Sequence, residues 1–77
     1  FIQINNSKVI LKLGQSGEFN ISIFDLLGRA VKKINLGYLS SGEHIFENLI
    51  SDLNKGLYII EIKSYNFRKA IKTIIYN

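Results

Sequence analysis

The stretch Asn20 to Lys33, NISIFDLLGRAVKK, constrains the fold more than any other part of the chain. Phe19, Ile21 and Ile23 alternate with Asn20 and Ser22, the period of two that turns one set of side chains to a buried face and the other to water. The alternation stops at Asp25-Leu26-Leu27-Gly28. An aspartate there accepts hydrogen bonds from the backbone two residues on, and a glycine supplies the left-handed residue that a type I turn needs when it closes a hairpin. Arg29 to Ile34 then runs back, with Val31 and Ile34 out of phase by one, which places a bulge near Lys32-Lys33. The stretch therefore reads as one hairpin of an antiparallel sheet.

The rest of the chain repeats the same signal in shorter pieces. Phe1 to Ile4 alternates and ends at the turn cluster Asn5-Asn6-Ser7; Lys8 to Leu13 sets Val9, Leu11 and Leu13 on one side. Gly14 to Gly17 connects, Gly37 is expected to break the strand after Leu36, and Ser40-Ser41-Gly42 turns again before Glu43 to Glu47. In Asn48 to Lys55, Leu49, Ile50 and Leu53 have spacings that suggest a helical turn or an irregular loop. Gly56 to Lys63 places Tyr58, Ile60 and Ile62 on one face and Leu57 and Ile59 on the other, so this strand belongs in the middle of its sheet. Arg68 to Tyr76 is the last strand. About seven short strands with frequent turn signals and no long helix predict an all-β, antiparallel sandwich, with a small closed barrel as the other architecture.

Length bounds what such a fold can do. A chain of 77 residues is one domain, 1–77, and hides only roughly 60–65% of the surface its unfolded form exposes. An apolar fraction of 47% with five Phe and four Tyr is enough for a core, and 21% charged residues are too few for a disordered chain. No apolar run approaches the roughly 20 residues of a membrane-spanning helix. The absence of Cys removes disulfides and thiolate metal sites. With no Met and a first residue already in a strand, the chain reads as a piece of a longer protein or as a processed product.

The net charge of +4 is concentrated. Residues 1–62 hold six cations and six anions, so the whole excess belongs to Lys63, Arg68, Lys69 and Lys72. Interleaved with Tyr65, Phe67 and Tyr76, such a cluster has the composition of a nucleic-acid surface. Lysine is also the usual protector of an exposed strand edge, and that reading is preferred; nucleic acid is not expected as a partner. A basic strand facing an acidic partner is the remaining use.

Catalysis needs a nucleophile or acid with a neighbour to tune it. Ser40-Ser41 lacks the nucleophile elbow, and the glycines match neither phosphate-binding loop. His44 has Glu43 and Glu47 nearby but no second histidine or cysteine, too few ligands for zinc. Asp25 is better explained as a turn residue than as a base or calcium ligand. The sequence reads as a non-enzyme with no cofactor and no metal.

Four segments in order carry a resemblance. Ile21-Ser22-Ile23-Phe24-Asp25-Leu26-Leu27-Gly28-Arg29-Ala30-Val31, Leu39-Ser40-Ser41-Gly42-Glu43-His44, Leu53-Asn54-Lys55-Gly56-Leu57-Tyr58-Ile59-Ile60-Glu61-Ile62 and Lys72-Thr73-Ile74-Ile75 together resemble the C-terminal sorting domain of type IX secretion cargo, type A. A related immunoglobulin-like module of flagellar hook-capping and assorted surface proteins shares the Asp-x-x-Gly and Gly-x-Tyr features. The resemblance implies a seven-stranded immunoglobulin-like sandwich without catalysis. It also implies an address: secretion machinery of the outer membrane recognises the domain and exports the upstream cargo from the periplasm to the cell surface or the medium, and in the family a sortase-type protease often cuts the domain off before the cargo is anchored. Carried over residue by residue, Asp25 and Gly28 build the turn, Leu53, Gly56 and Tyr58 fix the start of the central strand, and Lys72 faces the receptor, in a domain that is the C-terminal piece of a longer protein; the concentrated charge adds Lys63, Arg68 and Lys69 as receptor-facing candidates. The open edge of the last strand is suited to adding a strand to a receptor or to meeting an acidic surface. The other function classes kept in view are a structural stalk or filament subunit and a carbohydrate-binding sandwich.

Overall fold

The alternating runs fold as β1 (Ile2–Asn5), β2 (Lys8–Leu13), β3 (Gly17–Phe24), β4 (Ala30–Leu39), β5 (Gly42–Phe46), β6 (Gly56–Ser64) and β7 (Phe67–Ile75). The computed structural model describes residues 1–5 and 8–76. Asn6 and Ser7, where the sequence places a turn, lie outside the described residues, as does Asn77. All pairings are antiparallel and form two sheets, β1-β2-β5 and β4-β3-β6-β7. The sheets share no strand, so the fold is an open sandwich and not the closed barrel. β2 pairs with β5 and β3 with β6 across the chain, the crossing connections of an immunoglobulin-like sandwich, while β4 stays hairpinned to β3 and makes that sheet the larger one.

The core lies between the sheets and uses the inward half of each alternation. Val9, Leu11 and Leu13 from β2 face Phe19, Ile21 and Ile23 from β3 and Ile60 and Ile62 from β6, with Ile2 and Ile75 at the margins. Hiding each such side chain contributes about 1.5–3 kcal/mol. β6 is central, flanked by β3 and β7, as its two apolar faces predict. Residues 47–55 form no helix; they cross between the sheets as bends and turns, and Ile50 plugs the core at 1% exposure.

β4 departs from the simple hairpin in two places. Ile23 pairs with Lys32 but Phe24 with Ala30, leaving Val31 unpaired; Phe19 pairs with Gly37 but Asn20 with Asn35, leaving Leu36 unpaired. Two bulges thus replace the single one expected at Lys32-Lys33. Gly37 does not break the strand either: at φ 72° it absorbs the second bulge, and β4 continues to Leu39.

Candidate functional site

The turn after β3 is built by its aspartate. Asp25 Oδ1 accepts the backbone N–H groups of Leu27 at 2.9 Å and Arg29 at 3.0 Å, and Oδ2 accepts Arg29 Nε at 2.8 Å. The N–H of Gly28 donates to the Asp25 carbonyl at 3.0 Å, and Gly28 takes φ 84°, the left-handed conformation expected of it. These bonds hold the Asp25 carboxyl below the usual aspartate range, the Arg29 backbone N–H first among the causes and the guanidinium and Leu27 N–H adding to it against partial desolvation.

A carboxylate depressed in the folded state stabilises it above the unfolded pKa, and that contribution disappears as pH falls through the folded value. The ordinary aspartate value is about 3.9. Acidification below about pH 4 is therefore expected to weaken the domain. Asp25→Asn, which keeps the acceptor oxygen but loses the charge, should destabilise at pH 6 and converge on the wild type in acid. Urea midpoints measured against pH check this; parallel curves would remove the ionised turn from the account.

The second structural motif starts β6. Tyr58 donates its hydroxyl to the carbonyl of Asn54 at 2.8 Å, pinning the chain four residues upstream to the central strand. A tyrosine near the start of the sixth strand that bonds back to the corner before it is a recurring device of immunoglobulin-like sandwiches. Its ring lies over Gly56, where a Cβ would sit 3.6 Å from Cε2. Leu53 packs against the core just upstream. Asp25, Gly28, Gly56 and Tyr58 gather at one end of the larger sheet, because Phe24 pairs with Ile59.

Lys32 belongs to this end too, and sequence reasoning counted it only as a charge. The bulge at Val31 puts Lys32 opposite buried Ile23, on the inner side of an edge strand. From there Nζ donates to the Leu49 carbonyl at 2.8 Å and to Asp52 Oδ1 at 2.6 Å, clamping the connection that carries Ile50. The bond from Lys32 also lowers the Asp52 carboxyl. His44 has a structural contact as well: Nε2 stands 2.7 Å from the Ser40 carbonyl, which can only accept, so this nitrogen carries the proton and ties off the β4–β5 turn. Among the described residues no three His, Asp or Glu side chains come together as a metal site.

Three of the candidate basic residues, Lys63, Arg68 and Lys69, lie at the opposite end, and Lys72 lies in the same row as Phe24 and Ile59. Lys63 pairs with Arg68 and Ile62 with Lys69 in the β6–β7 hairpin, while Lys72 sits opposite Ile59, nearer the structural motifs. From Gly56 to Lys63 is about 23 Å at the rise of a strand. All four side chains belong to exposed residues. Arg68 reaches Glu61 at 3.4 Å; among the described residues no carboxylate bridges Lys63, Lys69 or Lys72. The smaller sheet is different, because its outer face is self-neutralised by Lys8–Glu47 at 3.7 Å and Lys12–Glu43 at 3.8 Å. Unbridged cationic side chains are thus most concentrated on the β6–β7 side, Lys33 of β4 and Lys55 before β6 being the others among the described residues.

Comparison with known proteins returns one family. The model of the secretion system C-terminal sorting domain matches residues 3–77, both structural motifs and the basic hairpin included. No curated protein matches the chain.

Proposed function

Because this chain belongs to the family of type IX secretion C-terminal sorting domains, we propose that the outer-membrane export machinery reads it as a folded surface while it carries the attached cargo out. Membership establishes a C-terminal sorting signal without catalysis, and passage through the periplasm to the cell surface or the medium is the route such a signal implies. The observation that carries the rest is the run of exposed cations along β6 and β7, of which Lys63, Lys69 and Lys72 have no bridging carboxylate among the described residues. Asp25, Gly28, Leu53, Gly56 and Tyr58 act by building the sandwich, and Lys63, Arg68, Lys69 and Lys72 act by facing the receptor. A folded sandwich loses little conformational entropy on binding, so a modest charged surface suffices for recognition. After export a sortase-type protease separates domain from cargo, and the cargo is anchored at the surface.

The test is a fusion of this domain behind a periplasmic reporter in a host that has the secretion system. The reporter is expected at the surface or in the medium. A folded, intact fusion that stays in the periplasm would refute the reading.

A further inference from the structure

The two sheets end in four edges without a hydrogen-bonded neighbour, at β1, β5, β4 and β7, with β1 running close to β7, and these differ in what they offer. β1 and β5 have only 4 and 5 residues. β4 has 10, but its bulges at Val31 and Leu36 interrupt the ladder, a common protection of an edge. β7 has 9 residues and pairs with β6 one for one from Phe67 to Ile75 with no shift. Its outer side is therefore the one long, regular row of backbone donors and acceptors among the described residues.

The side chains beside that row say what fits it. Arg68, Ala70, Lys72 and Ile74 alternate on the outer face, Lys63 lies across from Arg68, Glu61 lies across from Ala70 and bridges Arg68 at 3.4 Å so that Lys63 and Lys72 hold the unbridged charge, and Ile74 is 47% exposed. We propose that β7 receives an extended, acidic segment of a partner protein as a fifth strand of the larger sheet, with carboxylates beside Arg68 and Lys72 and an apolar side chain beside Ile74. This deepens the sorting reading and rests on it only for where the partner resides. A second copy of the chain would bring the same cations to the same ladder and be repelled. An anionic bilayer would neutralise the lysines but cannot pair the backbone row. An acidic strand satisfies both, its main chain giving affinity and its alternate side chains giving specificity.

The experiment uses the isotope-labelled chain and three nine-residue probes: a peptide alternating Glu and Val, one alternating Lys and Val, and the Glu-Val peptide N-methylated at alternate backbone positions. The expected result is amide shifts and slowed hydrogen exchange along β7 with the Glu-Val peptide alone. Lys72→Glu should weaken that peptide by about fivefold at low salt and bind the Lys-Val peptide instead. Equal binding of Glu-Val and Lys-Val, undiminished binding of the N-methylated peptide, shifts centred away from β7, or response to anionic vesicles but to no peptide would each overturn the proposal. The two readings separate in the reporter assay. Export of the Lys72→Glu fusion at the wild-type level removes the acidic strand and leaves the sorting signal. A wild-type fusion that stays inside while the Glu-Val peptide still pairs with β7 removes the sorting signal and leaves the strand.

Discussion

Ile60→Ala is expected to lower the unfolding free energy by about 2–5 kcal/mol, the range for truncating a buried aliphatic side chain. Ile60 is fully hidden, on the central strand between Ile23 of β3 and Ile71 of β7, so the space it leaves cannot collapse from one side. Total stability near 0.05–0.15 kcal/mol per residue leaves a domain of this size only about 4–12 kcal/mol to lose. The variant should therefore populate unfolded chain in the periplasm and export a reporter poorly. Ile45→Ala, at a side chain 54% exposed on the outer face of β5, should change stability by no more than about 0.5 kcal/mol. Urea unfolding measures both. A loss below about 1 kcal/mol at Ile60 would contradict a core between the sheets.

Gly28→Val is expected to cost about 1–2 kcal/mol or more, because a β-branched residue is strained in the left-handed region. The cause is separable from crowding. A Cβ built on Gly28 meets nothing within 4 Å, so the cost is one of backbone conformation alone. Asn enters that region more readily than other non-glycine residues, so the order of stability should be Gly28, then Gly28→Asn, then Gly28→Ala, with Gly28→Val last. Denaturant midpoints for the three variants decide it. Equal losses for Asn and Val would mean that the turn is not held at φ 84°.

What was legible in the sequence was whatever depends on neighbours along the chain. Alternation in Lys8 to Leu13 and in Gly56 to Lys63 becomes β2 and β6 with the expected faces buried, and Asp25 with Gly28 closes the expected turn. What depends on the partner strand was not. The bulges at Val31 and Leu36 are set by the pairing of β4 with β3, and one of them lets Gly37 stay inside a strand it was expected to end. Lys32 looked like any surface cation until the first bulge turned it inward to the Leu49 carbonyl and Asp52. The face taken by Tyr58 followed from the period of two, but its bond to Asn54 required the corner to be in place. The basic excess was readable as composition; that Arg68 shares its charge with Glu61 was not.

The aspartate turn and the tyrosine corner occupy one end of the sheet, and Lys63, Arg68 and Lys69, proposed above to face the receptor, the other. Groups so far apart with no shared partner contribute almost independently. Relatives can accordingly drift at the charged end, trading one recognition affinity for another, while folding cooperativity set at the remote end is inherited unchanged.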